Sequence, residues 1–338
     1  MKAFVLDKYA KRAKLRLTDR PDPQPGPRDV IVRIHAAALN QLDSKIRDGA
    51  FKPILPYKMP LILGHDLAGV VEAVGAQVTR FVPGDAVYAR ARDKRIGTLA
   101  ERIAVDQGDL ALMSANLTMP EAAGLPLVAL TAWQALVEIG NLRPGQKVLI
   151  HAGSGGVGSI AIQLAKHLGA TVATTASAAN ADMVRALGAD IIIDYRKEKF
   201  ESKLSDYDLV VCGLEGEALT RSLQVLKPGG RLISLAGPPT RDFARKQGLI
   251  WPLQQVMRLL SSGIRRKAKA RGIQYEFLFM RADGGQLAQL GALVEAGAIR
   301  PVIDRIFPFA QTNEAFEYLD TGHAKGKVVV SVTSEDQQ

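Results

Sequence analysis

The chain has 338 residues, of which 47% are hydrophobic and 23% are charged. This length suggests two domains, and the absence of long polar tracts excludes an intrinsically disordered chain. We expect no membrane span, because no run of about 18 uncharged apolar residues occurs. A single cysteine, Cys212, excludes an intrachain disulfide, and residues 1–15 lack the apolar core of a secretory signal. We therefore expect a cytoplasmic protein with no membrane partner.

The net charge is +10, and segment 265–271 (RRKAKAR) is its one dense basic run. A solvated, charged helix face is the simpler interpretation of this run. The functional alternative is a contact for an anionic ligand or partner. Because the remaining positive charge is spread along the chain, we expect no nucleic-acid partner.

Residues 1–125 are rich in short β-type runs separated by turns. The proline-rich stretch Pro21–Pro27 predicts an extended surface loop. Strand-like texture returns over residues 300–338 and could complete the first domain. The predicted strands of these two parts are 30–35 (VIVRIH), 67–74 (LAGVVEAV), 85–89 (DAVYA) and 327–332 (KVVVSV).

The sequence pattern changes after about residue 120, where residues 120–140 predict a helix. Beyond it, short apolar runs alternate with helical patterns, which indicates a doubly wound parallel sheet buried on both faces. The predicted strands are 147–151, 171–175, 191–194, 208–212 and 231–235. The predicted helices between them are 158–168, 181–187 and 216–226.

The first turn of this sheet carries a glycine-rich loop. Gly153, Gly155 and Gly158 fit the pattern G-x-G-x-x-G, with Gly156 and Val157 between them. Alone this pattern is weak, but here it follows a strand and opens a helix. Glycine permits the tight turn and the approach of backbone N–H groups to a pyrophosphate, whose charge the helix N-terminus stabilises. The loop therefore predicts a dinucleotide site.

The end of the second strand indicates which dinucleotide. A carboxylate expected there for NAD is absent from residues 174–180. Ser177 and Asn180 can instead donate hydrogen bonds to a 2′-phosphate, and Tyr195 follows the third strand beside two cations. We therefore favour NADPH over NADH.

Several short segments accompany the glycine loop; they are residues 40–49 (NQLDSKIRDG), 63–71 (LGHDLAGVV), 83–85 (PGD) and 326–329 (GKVV). With these segments the chain resembles the medium-chain dehydrogenase/reductase superfamily, in its zinc-free quinone oxidoreductase and enone reductase branch. The resemblance covers nearly the whole chain.

The resemblance implies an α/β protein that pairs a GroES-like, β-rich catalytic domain with a Rossmann domain. Residues 1–122 and 300–338 would form the catalytic domain, and residues 123–299 the Rossmann domain. It also implies a homodimer joined at the strand near Tyr275 to Phe279.

Zinc members of the superfamily have a cysteine in the segment corresponding to residues 40–43, where this chain has none. Catalytic zinc needs three protein ligands, and one cysteine excludes a structural four-cysteine site. His65 and Asp66 could bind a metal with Asp43, but a hydrogen-bonded His65 that shapes the cleft is the simpler interpretation. We expect no metal.

Without zinc, a nicotinamide can still deliver hydride to a quinone or an α,β-unsaturated carbonyl. Asn40, Asp43 and Lys45 form the most plausible catalytic cluster, although Lys45 could equally be a surface lysine. The resemblance implies that Lys45 touches the cofactor or the substrate. Tyr57 and Tyr88 are alternative proton donors that also suit structural roles.

Further cofactor contacts are expected from the fold and the resemblance. Leu235 follows the fifth strand and should lie in the crevice at the carboxyl ends of the strands. The resemblance implies contacts on the nicotinamide side from Leu278 and Phe279, for which core packing is an equal alternative, and a contact from Lys327.

Two other functions stay open at this stage. One is a binding protein that keeps the dinucleotide fold without turnover, either structural or nucleic-acid binding, which the charge of +10 modestly supports. The other is a reductase of enoyl thioesters, whose acidic carrier partner would suit the basic run.

Overall fold

The computed structural model describes residues 1–332, and the chain forms two compact units. The first unit contains Met1–Leu130 together with the chain from Arg281 onward, and the second contains Thr131–Met280. No described helix has the length and apolar character needed to cross a bilayer.

The strands are β1 (Lys2–Leu6), β2 (Arg16–Asp19), β3 (Asp29–Leu39), β4 (Leu61–Ile62), β5 (Asp66–Val74), β6 (Ala86–Arg90), β7 (Arg102–Asp106), β8 (Leu110–Leu112), β9 (Lys147–Ile150), β10 (Thr171–Ala176), β11 (Ile191–Asp194), β12 (Tyr207–Cys212), β13 (Leu226–Ser234), β14 (Gln274–Phe277), β15 (Ile303–Pro308) and β16 (Lys327–Ser331).

The helices are α1 (Gln41–Arg47), α2 (Met119–Ala123), α3 (Pro126–Trp133), α4 (Gly156–His167), α5 (Ala181–Ala186), α6 (Glu217–Ser222), α7 (Arg241–Lys246), α8 (Trp251–Leu260), α9 (Ser262–Ala270), α10 (Gly284–Glu295) and α11 (Thr312–Asp320). A π-helical turn (Gln134–Ile139) continues α3. Short 3₁₀ turns occupy Gln107–Asp109, Ala178–Asn180, Phe200–Ser202 and Phe309–Gln311.

The first unit is built on a mainly antiparallel sheet. Its strand order is β15-β16-β3-β5-β6-β8, with β7 also paired to β3, and a smaller sheet has the order β2-β1-β4. The strand β16 pairs with β3, so the last described strand completes the sheet of the N-terminal part, as its sequence texture suggests. Close approach of β3 and β5 requires Gly69, since a Cβ there would lie 2.0 Å from the Arg33 carbonyl oxygen.

The second unit is a parallel sheet with the strand order β11-β10-β9-β12-β13-β14. This order, with β9 and β12 as the central pair, is that of a Rossmann fold and confirms the predicted doubly wound sheet. Its strands are short apolar runs with no exposed residue in the middle of β9, β10 or β12, because helices cover both faces of the sheet.

Three details differ from the sequence predictions. The helix predicted over 120–140 is broken into α2, α3 and the π-helical turn. The helix predicted over 216–226 ends at Ser222, since Leu226 already belongs to β13.

The third difference concerns the limits of the units, which lie after residues 130 and 280 rather than after 122 and 299. The helix α10 packs on β8, where the Cβ position of Gly284 is 2.2 Å from the Leu110 carbonyl oxygen. This contact explains why residues 281–299 belong to the first unit. Residues 333–338 of the expected catalytic domain lie outside the described part of the chain.

Candidate functional site

The glycine loop joins β9 to α4 at the carboxyl edge of the parallel sheet. Thr175 holds the loop there: its hydroxyl accepts from the Ala152 N–H at 3.0 Å, and its carbonyl accepts from the Gly153 N–H at 3.0 Å. A Cβ at Gly153 would lie 2.1 Å from the Thr174 hydroxyl, and one at Gly158 would lie 2.3 Å from the Ala152 carbonyl oxygen. These two glycines therefore let the loop pack tightly on its own strand and helix.

Gly155 differs from Gly153 and Gly158, because no atom of the described residues crowds its Cβ position. Its surroundings therefore indicate whether the loop has room for a dinucleotide. Its backbone angles, φ −83° and ψ 173°, suit any residue. Among described residues other than its chain neighbours, a Cβ there would meet only the Ala152 carbonyl oxygen, at 3.4 Å. Gly155 is also the N-cap of α4, so the first-turn N–H groups of that helix have no cap side chain to which they could donate a hydrogen bond. The loop thus leaves open space in front of backbone donors, which fits a pyrophosphate.

The residues predicted to bind a 2′-phosphate lie at the ends of two adjacent strands. Ala176 pairs with Asp194, so Ser177 and Tyr195 follow at the same edge of the sheet. Ser177 is buried, whereas Tyr195 is 58% exposed. Asn180 donates from Nδ2 to the Ser154 hydroxyl at 3.0 Å, which ties it to the glycine loop. The structure therefore brings the loop and the three predicted donors to one edge.

Asp194 is a carboxylate at this edge that could oppose a phosphate. Its Oδ1 accepts from the Arg196 N–H at 3.1 Å, so one of its two carboxylate oxygens is already hydrogen-bonded within its own turn. The Arg196 guanidinium lies 5.8 Å from the centre of the Tyr195 ring and adds a cation beside it.

The other predicted contacts of the second unit also lie at the carboxyl edge. The Leu235 N–H donates to the Cys212 carbonyl at 2.9 Å, and the Leu278 N–H donates to the Ser234 carbonyl at 2.9 Å. The Phe279 ring lies 5.5 Å from the Phe243 ring, centre to centre. These residues follow β13 and β14 directly, which is where ligands bind in sheets of this kind.

His151 supports the glycine loop and was not singled out from the sequence. It follows β9, is 4% exposed, and lies with Nε2 2.9 Å from the Ser222 hydroxyl and Nδ1 3.3 Å from the Thr175 hydroxyl. Burial, with a smaller contribution from the charge of Arg221, lowers its pKa to about 4. The imidazole is therefore neutral at pH 7, and its only sequence signal is its place between the strand and the loop.

In the first unit, the predicted catalytic residues Asn40 and Asp43 belong to a buried polar network at the start of α1. Asp43 is fully buried: its Oδ2 accepts from the Asn40 N–H at 2.9 Å, and its Oδ1 lies 2.6 Å from His65 Nδ1. Asn40 Nδ2 donates to Asp66 Oδ2 at 3.0 Å. This packing suits positioning residues better than groups that touch a substrate.

Lys327 completes the network, although the resemblance implies a cofactor contact for it. Its ammonium donates to Asn40 Oδ1 at 2.5 Å and to Asp66 Oδ2 at 3.1 Å, and the residue is 4% exposed. Asp66 Oδ1 also accepts from the Leu127 N–H at 2.8 Å. The Asp66–Lys327 pair was missed because its members are 261 positions apart in sequence.

Lys45 is exposed on α1. Of the two candidate proton donors, Tyr88 is buried and its hydroxyl donates to the Leu287 carbonyl at 2.7 Å, which is a structural role. Burial raises the pKa of Tyr57 to about 12 and that of Tyr88 further. Both phenols thus stay protonated at pH 7.

Near His65 the network contains polar atoms that lack partners. Within the described part of the chain, His65 Nε2 and Arg90 Nε and Nη1 are buried without a hydrogen bond. Arg90 Nη2 donates to Asp93 Oδ1 at 2.5 Å, and His65 Nε2 is 4.0 Å from the same oxygen. No group of three or more described His, Cys, Asp or Glu residues is placed to hold a metal ion.

Comparison with known families identifies both parts of the chain. Residues 26–124 match the model described as "Alcohol dehydrogenase GroES-like domain", and residues 187–330 match the model described as "Zinc-binding dehydrogenase". The first match supports the GroES-like fold expected for the β-rich unit.

Similar whole proteins are also found. The chain is 36% identical to the zebrafish (Danio rerio) protein named NAD(P)H oxidoreductase RTN4IP1, mitochondrial, over 100% of this chain and 92% of the relative. It is 36% identical to a chloroplastic NADPH-dependent alkenal/one oxidoreductase of Arabidopsis thaliana, over 98% and 79%. The solved quinone oxidoreductase of Coxiella burnetii is 33% identical, with a TM-score of 0.86 over 98% of this chain and 99% of that one.

These names correct one expectation. The zebrafish, mouse, human and cattle relatives are all named as mitochondrial. They contradict the cytoplasmic location expected here. The expectation rested on the single cysteine and the absence of a secretory signal, and neither feature distinguishes the cytoplasm from another reducing compartment.

The relatives, the fold and the open glycine loop agree, and together they support an oxidoreductase that uses a nicotinamide cofactor. The chain belongs to the medium-chain dehydrogenase/reductase superfamily, in its quinone oxidoreductase and enone reductase branch.

Proposed function

We propose that this protein is an NADPH-dependent reductase that transfers hydride to a quinone or an α,β-unsaturated carbonyl without zinc. The observation that carries the proposal is Gly155, a glycine that no protein contact requires, at the N-terminus of a twelve-residue helix. The names of the relatives from zebrafish and Arabidopsis support the same class of reaction.

The second unit binds and selects the cofactor in this proposal. N–H groups of Gly156, Val157 and Gly158 in the first turn of α4 hold the pyrophosphate. Ser177, Asn180 and Tyr195 donate hydrogen bonds to the 2′-phosphate. Leu235, Leu278 and Phe279 supply apolar contacts for the nicotinamide end. When bound, the nicotinamide supplies a hydride for an activated carbon.

In this proposal the first unit contributes a buried, hydrogen-bonded polar network rather than a metal ion. Residues 40–43 form the segment where zinc members have a cysteine, and the Asn40 amide is hydrogen-bonded to Asp66 and Lys327. The Lys327 ammonium neutralises Asp66 and would repel a cation placed beside it. Acceptors that need no strong Lewis acid, such as quinones and enones, suit this arrangement.

The roles of the predicted catalytic residues follow from their burial. Asn40 and Asp43 act as positioning residues that hold Lys327 and His65. Lys45, which is exposed on α1, stays the candidate for contact with cofactor or substrate.

The first test measures kcat/KM with NADPH and NADH for the wild type, Ser177→Asp and Tyr195→Phe. Hydrogen bonds to a charged group contribute about 1.5–3 kcal/mol each. Two or three of them, weakened because Tyr195 is exposed to solvent, predict a preference for NADPH of order 100-fold. Ser177→Asp should reverse the preference by repelling the phosphate, and Tyr195→Phe should weaken NADPH more than NADH. Equal efficiency with both cofactors in the wild type would overturn the proposed choice.

The same assay, run on a panel of quinones, alkenals, enones and enoyl thioesters, separates the substrate classes. Faster turnover of thioesters would favour the acyl-thioester alternative, and binding of NADPH without any turnover would favour a non-enzymatic role.

Activity should survive chelation, and elemental analysis should find no stoichiometric zinc.

A further inference from the structure

The segment of residues 241–271, which we call the docking segment, carries most of the net charge of the protein. It contains nine Lys or Arg residues and one acid, Asp242, which is a net charge of +8 out of +10 for the whole chain. It comprises α7, α8 and α9 and belongs to the second unit. The basic character of this protein is therefore local.

The same segment exposes large apolar side chains. A helix on a protein surface normally buries its apolar face. In and beside α8 only Met257 is well buried, at 5% exposure, whereas the other large apolar side chains except Leu253 are turned to solvent. The exposed side chains are Ile250 (66%), Trp251 (67%), Val256 (49%), Leu259 (72%) and Leu260 (62%). On a helix of 3.6 residues per turn, those within α8 occupy about half of the circumference.

The next helix in the chain, α9, has its basic residues on an exposed face. Ile264 and Ala268 are buried and pack in one core cluster with Tyr275 of β14. The basic residues of the helix and its end are all exposed; they are Arg265, Arg266, Lys267, Lys269 and Arg271. One helix thus presents apolar side chains, and the next presents cations anchored on the sheet.

We propose that the docking segment binds the surface of an anionic lipid bilayer. The apolar side chains of α8 enter the boundary between headgroups and acyl chains, and the cations of α9 contact lipid phosphates. Tryptophan at such a boundary is favourable because its ring is apolar and its N–H is polar. This inference goes beyond the proposed function, and it changes the expectation of no membrane partner, because surface binding needs no spanning helix.

Two other partners fit the segment less well. A symmetric pair of copies joined at this face would bring two surfaces of like charge together, which is unfavourable. A nucleic acid would engage the cations, but Leu259 and Leu260 would gain nothing from its phosphates. A lipid surface uses both features.

Trp251 supplies a direct probe. The chain has two tryptophans, and Trp133→Phe leaves Trp251 as the only one. On addition of phosphatidylcholine vesicles containing phosphatidylglycerol, its emission should shift to shorter wavelength, and the protein should sediment with the vesicles. Vesicles of phosphatidylcholine alone should give little binding, and added salt should weaken binding by screening the cations.

Paired variants separate the two contributions. Leu259→Gln with Leu260→Gln should abolish the sedimentation, and Val82→Gln with Leu112→Gln, at exposed apolar positions of the first unit, should not. Arg266→Gln with Lys269→Gln should weaken binding roughly 25-fold, at about fivefold for each cation near the surface. Lys8→Gln with Lys11→Gln is the charge-matched control and should leave binding unchanged.

Three results would overturn the proposal. One is the absence of binding to anionic vesicles, and another is equal binding by the α8 variant and the wild type. The third is a change of molecular mass by light scattering in the α8 variant without any effect of vesicles, which would show that a second copy covers this face.

Discussion

The glycine loop has glycine at three motif positions, and the structure gives different reasons for them. Gly153 and Gly158 are needed because protein atoms lie within 2.1 and 2.3 Å of the Cβ positions. Gly155 has open space and ordinary backbone angles, so the protein alone does not require a glycine there. The motif pattern treats the three positions alike, and only the structure distinguishes packing from ligand approach.

This distinction predicts different outcomes for single substitutions. Gly155→Val should fold with the stability of the wild type and bind NADPH at least tenfold more weakly, since a side chain would displace at least one charge-assisted hydrogen bond. Gly158→Ala should lower the melting temperature, because the Ala152 backbone must move. Nucleotide titration and thermal unfolding measure both effects, with Gly263→Val, at an open position of α9, as the control. Unchanged NADPH affinity in a folded Gly155→Val protein would count against the site.

Two lysines predicted to contact ligands differ in burial, which predicts opposite behaviour. Lys327→Met would leave the buried Asp66 carboxylate without a counter-charge and should lower the free energy of unfolding by about 3–5 kcal/mol. Lys45→Met, on an exposed face, should change stability by less than about 0.5 kcal/mol and should raise KM for NADPH or substrate. Denaturant unfolding and steady-state kinetics check the pair. A Lys45 variant with wild-type kinetics would remove Lys45 from the site.

At the scale of an element, β14 is the edge strand of the parallel sheet. The Leu278 N–H donates to Ser234 on β13, and N–H groups alternate in direction along a strand. The N–H groups of Tyr275 and Phe277 therefore point away from β13. An unpaired edge of this kind is a template for pairing with a second copy, as the resemblance to the superfamily implies.

We expect the protein to be a homodimer joined at this edge. Light scattering at micromolar concentration should give twice the chain mass. The amides of Tyr275 and Phe277 should exchange slowly with solvent deuterium, although no hydrogen bond within the sheet protects them. A monomer mass, or fast exchange at both amides in a dimer, would exclude pairing through β14.

At the scale of the whole molecule, stability should depend on pH through His151. Its folded pKa of about 4 lies below the ordinary value of 6.5, so the folded state binds fewer protons than the unfolded chain between these values. The stabilisation is fully present above pH 6.5 and is lost as pH falls toward 4, by up to about 3 kcal/mol.

Fluorescence can follow this loss, because Trp133 and Trp251 both lie in the unit that contains His151. The free energy of unfolding of the wild type should fall between pH 6.5 and pH 4. In His151→Gln the free energy of unfolding should fall less steeply with decreasing pH over this range, whatever the stability of that variant at pH 7. An identical slope in both proteins would show that His151 does not carry the effect.

The positions of five Rossmann strands were accessible from the sequence, because parallel strands buried on both faces are continuous apolar runs such as 147–150 and 208–212. The glycine loop and the donors Ser177, Asn180 and Tyr195 were equally accessible, since each follows a strand and all strands end at one edge. Their predicted roles await the measurements above. The membership of α10 in the first unit was not accessible, because it depends on a contact between residues 110 and 284.

The sequence by itself determined the family, the fold class and the position of the glycine loop, since these depend on local periodicity and short motifs. Tertiary structure decided which polar residues are buried together and which surfaces stay exposed. Lys327 pairs with Asp66 because β16 pairs with β3 in the sheet. The exposure of the large apolar residues of α8 likewise appears only in the packed structure. Burial and long-range pairing depend on distances in space, which a pattern along the chain does not contain.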